Sequence, residues 1–227
     1  APGLDSPATA PLPTIKRERG ARHGVPSRKM AARLNGKMTF DLVGGGRLMA
    51  TGTIVPGTAK AFAAEVKKRG GYIKTVMLQS PGGSVNDALA MGRLIRARKF
   101  ATEVGKDAYC ASSCPLVFAA GVKRRAGAKA AIGVHQIYAP PQPGLDTAAD
   151  GFDSAQRIAA TAEGYLRDMG VDLGVWLKAM ETPKDELYYF SPAELVKLKL
   201  ATEAAGAKAK PGAPEPGTGA AQQDQAR

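Results

Sequence analysis

Thr75-Val76-Met77-Leu78, followed closely by Ser80-Pro81-Gly82-Gly83-Ser84, is the stretch on which the reading of the fold turns. The apolar run is short and uninterrupted, as in a strand buried on both faces of a parallel sheet. Ser80-Pro81-Gly82-Gly83 has the composition of a turn. Ser84 or Asn86 can then cap a helix whose Ala88, Met91, Leu94 and Ile95 fall at helical spacing. The unit is strand, turn, helix.

Its neighbours repeat the alternation. Residues 37–43 alternate and are β-rich, Gly44-Gly45-Gly46 interrupts them, and residues 47–54 read as a second strand of a hairpin. Pro56-Gly57-Thr58 opens a helix with Phe62 and Val66 on one face, ended by Gly70-Gly71. Residues 101–104 and 131–135 are strand-like, with a buried helix over Leu116–Ala120 between them and Lys123-Arg124-Arg125 placed on the surface. Beyond the Pro-rich loop 139–144 come amphipathic helices at 154–169 and 172–181 and a strand at 187–190. Ser191-Pro192-Ala193-Glu194 then has the form of a capping box. This alternation predicts an α/β fold with a mostly parallel sheet.

Composition sets the limits. The ends lack apolar periodicity: residues 1–35 read as a basic Pro/Ala/Arg-rich arm and 203–227 as a low-complexity tail. Neither offers enough apolar surface to offset chain entropy, so both are expected to be disordered. That leaves one domain over 36–202. Much of the net charge of +12 is local: between Ile15 and Lys37 lie Lys16, Arg17, Arg19, Arg22, Arg28, Lys29, Arg33 and Lys37, against Glu18 alone. Such an arm is either a solvated tail or attracted to an anionic surface. Aromatic residues are not interleaved with the charges, so a stacking platform for single-stranded nucleic acid is not indicated. No run reaches the roughly 18 apolar residues of a membrane span. A start at Ala1-Pro2-Gly3 fits a mature chain from which a signal peptide has been removed.

The chemistry lies at the predicted strand ends. Ser80-Pro81-Gly82-Gly83-Ser84, Cys110-Ala111-Ser112-Ser113-Cys114 and Gly133-Val134-His135-Gln136 each follow or end a strand. In parallel sheets ligands bind at the carboxyl ends of strands, so all three segments are expected on one edge. Together they supply a backbone anion cradle, a small-residue turn that exposes a serine, and a histidine. Those are the parts of an acyl-transfer site. A serine hydroxyl needs a base, and of the two histidines His23 lies in the arm, which leaves His135. Taken singly, the serines could serve packing and His135 could be a core residue. Ser113 is the alternative nucleophile, and Ser84 is first a helix cap. Cys110 and Cys114 are four apart, close enough for a disulfide if the turn is not regular helix; the alternative is two buried thiols. A disulfide would indicate an oxidising compartment and brace the Ser112 turn.

The segment Ser80–Gln136 resembles the catalytic heart of the ClpP-type serine peptidases, within the wider ClpP/crotonase fold of stacked ββα units. It is most similar to secreted or periplasmic bacterial ClpP-like proteins with a Cys-x-Ser-x-Cys turn. Ser80–Ser84 resembles the oxyanion loop of that family, Ala111-Ser112 with the helix to Gly121 its nucleophile turn, and Val134-His135-Gln136 its histidine strand. The likeness extends loosely over 37–202, to residues 181–185 and the Ser191 helix. It implies Ser112 as nucleophile, His135 as general base, Asp185 orienting the imidazole, and the Gly83 and Ser113 amides as oxyanion hole. Glu186, Asp150 and Asp153 are alternatives for the acid, because two additional residues separate Asp185 from the Ser191 helix. The turn reads Ser112-Ser113-Cys114-Pro115 where the family has Ser-Met-Gly-Ala, so Cys114 and Pro115 replace a small, flexible pair.

The implied activity is that of an ATP-independent endopeptidase on exported proteins or peptides, without metal or cofactor. A peptide or protein substrate and a homo-oligomer are the implied partners; an ATPase is not expected. The rivals are a non-catalytic binding or assembly module on the same fold and a crotonase-like acyl-thioester enzyme.

Overall fold

The computed structural model describes residues 17–20, 34–137 and 148–205. His23, most of the basic arm, the Pro-rich loop 139–144 and the tail beyond residue 205 lie outside the described residues.

The strands are β1 (Arg17–Gly20), β2 (Thr39–Leu42), β3 (Arg47–Thr51), β4 (Thr75–Gln79), β5 (Ala101–Val104), β6 (Tyr109–Ala111), β7 (Arg124–Ala126), β8 (Ala131–Val134), β9 (Glu186–Tyr189) and β10 (Glu203–Ala204). The helices are α1 (Thr58–Arg69), α2 (Val85–Ala97), α3 (Cys114–Ala119), α4 (Ala148–Asp168), α5 (Leu173–Glu181) and α6 (Pro192–Lys197). They build an α/β structure whose strands are mostly parallel.

The strands form two sheets, where the alternation suggested one. The larger runs β10-β7-β5-β4-β3-β2 and the smaller β1-β9-β8-β6. In the larger sheet only the β2–β3 hairpin is antiparallel, and the other pairings are parallel. The smaller sheet pairs β6 parallel to β8 and β8 antiparallel to β9. A parallel bridge between Ser80 and Cys110 joins the end of β4 to β6. The carboxyl ends of β4, β6 and β8 therefore point the same way.

Local chemistry places the helices. Ser84 caps α2, its Oγ accepting from the Asp87 amide at 3.2 Å. Asp87 in turn accepts from the Gly57 and Ala59 amides at 3.0 and 2.9 Å, so one carboxylate serves the otherwise unpaired amides at the start of α1. The capping box at Ser191 is complete, with Glu194 accepting from the Ser191 amide at 2.8 Å. The core lies between sheets and helices. It includes Leu48, Ile54, Phe62, Val76, Leu78, Met91, Ile95, Val117, Phe118, Ile132 and Phe190, all at or below 1% exposure. Burial of each such side chain contributes roughly 1.5–3 kcal/mol. At Gly92 the absence of a Cβ lets Tyr165 of α4 pass over α2 and donate to the Leu116 carbonyl at 2.9 Å. Any side chain at position 92 would occupy the space of that phenol.

Several expectations require correction. Arg124 is not on the surface: it is 7% exposed and opens β7. Within the segment read as a disordered arm, Arg17–Gly20 forms β1, pairing parallel with β9. Edge pairing uses backbone groups and needs no apolar periodicity, which is why composition did not mark it. Leu34 is 1% exposed in a small cluster with Tyr109, Ala131, Leu187 and Tyr189, so the packed domain begins before residue 36. Glu203–Ala204, assigned to the tail, forms β10 against β7.

Candidate active site

The turn at Ser112 is built by its two ends. β6 is buried throughout, and α3 begins at Cys114 with Pro115 at its start. Between them Ser112 takes φ 59°, the left-handed region that costs a non-glycine residue free energy. Such strain persists only where the surroundings over-determine it. Here the surroundings are a disulfide, a strand and a glycine loop. Cys110 and Cys114 are bonded to each other, with Cα atoms 5.2 Å apart, and both are fully buried. The Ser112 amide donates to the Gly133 carbonyl at 3.0 Å, two residues before His135. A Cβ on Gly82 would lie 2.6 Å from Ser112 Cβ and 2.7 Å from the Ser113 nitrogen, so only glycine allows this loop to rest on the serine turn.

The loop is fixed on its other side by Ile54, whose amide donates to Gly82 at 2.8 Å and whose carbonyl accepts from Ser84 at 2.6 Å. Gly83 lies between these bonds, exposed, with φ 132°. Among the described residues no hydrogen bond is made by the Gly83 or Ser113 amide. Ser112 is half-buried. Ser113 is 3% exposed, and its Oγ is buried without a hydrogen-bond partner. Of the two hydroxyls, only that of Ser112 belongs to a residue with appreciable access to solvent.

His135 follows β8 and is 8% exposed. Burial pushes its pKa below the ordinary imidazole value, offset in part by a backbone hydrogen bond involving Gln136. A base must be neutral to accept a proton, and burial favours that form. We expect the acid limb of any His135-dependent reaction to have its midpoint below about 6.5, and a pH–rate profile measures it. Folding stability has the same sign. The unfolded chain binds the proton more readily, so the contribution is present above pH ~6.5 and is lost as the pH falls. A midpoint above 7 would show that a nearby carboxylate outweighs burial.

Asp185 stands one residue before β9. In the β8–β9 register Gly133 faces Tyr189 and Val134 faces Tyr188. The pairing does not continue outward: Glu186 donates its amide to Pro183 in a turn, and Gln136 reaches past the strand to Thr182, so register does not decide between Asp185 and Glu186. The adjoining loop is tied down: Gln136 donates from its amide to Thr182 at 2.9 Å and from Nε2 to Met180 at 2.8 Å. Asp153 is held on the exposed surface of α4 by Arg157 at 2.5 Å. Asp150 is in α4, and its side chain lies outside what the structure describes. Ser84 is occupied as a helix cap.

Sequence reasoning missed Ser80. Its side chain is fully buried and its Oγ accepts from the Gly82 amide at 3.1 Å. The signal was present, since a serine two residues before a glycine across proline suits a hydroxyl-closed turn. Among the described residues no group of three His, Cys, Asp or Glu side chains is placed to hold a metal ion. No helix among them is long and apolar enough to cross a membrane. No family model matches this chain, and no curated protein does.

Because both cysteines are fully buried and joined, we expect alkylation without reductant to leave the intact mass unchanged. Replacing both by alanine should cost about 2 kcal/mol through loss of a very short loop. Chemistry at Ser112 should suffer more, since a displacement of about 1 Å can cost 100-fold. Equal losses in stability and reactivity would mean that the bridge serves the fold alone.

Proposed function

We propose that this chain is a ClpP-like serine hydrolase with the stacked ββα fold of that group, acting without ATP as an endopeptidase on exported proteins or peptides. The observation that carries the reading is the strained Ser112, held by a backbone hydrogen bond to β8, the strand just before His135, and pressed by the Gly82 loop. Strain of this kind is characteristic of nucleophiles presented at a sharp strand-to-helix turn.

In this mechanism Ser112 Oγ attacks the scissile carbonyl carbon while its proton passes to neutral His135. The carbonyl oxygen takes up the electron pair of its π bond and is stabilised by the Gly83 and Ser113 amides. Collapse expels the amine, which receives the proton from His135 and leaves an acyl group on Ser112. Water then adds to the acyl carbon as His135 takes its proton, and collapse breaks the bond to Ser112 Oγ, which recovers the proton from His135 as the acid leaves. Asp185 orients the imidazole and stabilises its cationic form. The disulfide is compatible with an oxidising compartment, outside the reducing cytosol of most cells.

Reaction with a fluorophosphonate probe, followed by peptide mass spectrometry, tests the reading. An adduct on Ser112 is expected. An adduct on Ser113 would move the nucleophile by one residue. Intact protein without any adduct would favour a binding module built on the same crevice.

A further inference from the structure

We infer that Ser80 is the positioning residue that couples the two halves of this site, an inference that rests on the hydrolase reading above. Its backbone is bonded to β6, the strand before the nucleophile: the Ser80 amide donates to Tyr109 at 2.8 Å, and its carbonyl accepts from Ala111 at 3.0 Å. Its side chain belongs to the glycine loop, where Oγ accepts from the Gly82 amide at 3.1 Å. One fully buried residue thus bonds to the neighbour of Ser112 and to the neighbour of Gly83.

The need for such a clamp follows from the loop composition. Gly82 and Gly83 sit at φ 93° and 132°, conformations that glycine reaches easily and leaves as easily. Pro81 fixes its own φ and supplies no donor. The bonds to Ile54 hold the Gly82 carbonyl and Ser84 amide, and neither of them holds the Gly82 amide. Ser80 Oγ is the acceptor that does. It fixes the Pro81–Gly82 peptide, while the Ile54 bond to the Gly82 carbonyl fixes the Gly82–Gly83 peptide that carries the Gly83 N–H; with both planes held, the Gly82 torsions cannot drift and the aim of that N–H is set. Ser80 touches no substrate; it acts through Gly83, as an outer group that orients a catalytic one.

An oxyanion donor aimed wrongly loses most of its value, since removing one typically costs about 100- to 1000-fold. Ser80→Ala is expected to slow fluorophosphonate modification of Ser112 by about 100-fold. Its affinity for a peptide boronate, which forms a tetrahedral adduct, should fall in parallel. The pH midpoint of labelling belongs to His135 and should stay at the wild-type value, which a general collapse of the site would not allow. Ser80→Thr retains the hydroxyl and should restore most of the rate.

Three other results would overturn the inference. Labelling of Ser80→Ala at the wild-type rate would remove Ser80 from the mechanism while leaving the hydrolase reading intact. Wild-type protein that takes up no probe would sink both. Should Ser80→Ala fail to fold, Ser80→Thr decides alone: wild-type melting with labelling as slow as in a nucleophile-less variant would also refute the clamp.

Discussion

Fluorophosphonate labelling of Ser112→Ala is expected to fall to background, with the thermal transition at or slightly above that of the wild type. The substitution removes the attacking oxygen and little else. A nucleophile's loss typically costs several orders of magnitude in rate, because the remaining members of a triad act only through it. The stability arm has its own logic. Ser112 is half-buried at φ 59°, where alanine is as strained as serine, so the backbone cost does not change. Ser113→Ala serves as the control. It removes a buried hydroxyl without a hydrogen-bond partner, which should be neutral or stabilising while labelling continues. Retained labelling in Ser112→Ala together with its loss in Ser113→Ala would exchange their roles.

Arg124→Met should lower stability by about 3–5 kcal/mol. The guanidinium donates from Nε to Leu200 at 3.1 Å, from Nη1 to Gly121 at 3.1 Å and to Met169 at 3.5 Å, and from Nη2 to Lys199 at 2.8 Å. Those carbonyls lie at or just beyond the ends of α3, α4 and α6, where backbone acceptors are left over and the helix dipole is negative. Arg96 contributes from the side, donating to Ala119 and Met169 at 3.3 Å. Burial and Arg96 both push the Arg124 pKa down, yet a guanidinium begins so high that it remains charged. Methionine fills the space and leaves these acceptors short of donors. Scanning calorimetry should show a midpoint lower by about 10 °C or more. Arg124→Lys should recover little, since one ammonium cannot spread to the same acceptors. A shift below about 2 °C for the methionine variant would mean that water replaces the guanidinium.

The contrast between these two sites shows what the sequence could disclose. The placement of Ser112 and His135 was legible because each follows a short apolar strand, and parallel strands bring their carboxyl ends to one side. The Ser191 capping box was legible because its geometry spans three residues. Arg124 was not: its partners Lys199 and Leu200 are 75 and 76 positions away, and nothing near Lys123-Arg124-Arg125 announces them. β6 and β7 have three residues each, too few for any period to emerge. Without β6 as a separate strand, the second sheet was invisible. The acid was not legible: Asp185 and Glu186 are adjacent in sequence, and the β8–β9 pairing ends at Val134 and Tyr188, short of both.

The closing role of residues 199–205 bears on how the chain is made. A polypeptide emerges N-terminus first, from a ribosome or through a membrane pore, so residue 124 is exposed long before residues 199 and 200. Until they arrive, the guanidinium lacks its acceptors at Lys199 and Leu200, and β7 lacks β10 along its edge. Residues 199–205 therefore act as a latch: until they have emerged, Arg124 and the edge of β7 lack these partners, and this part of the core stays unfinished.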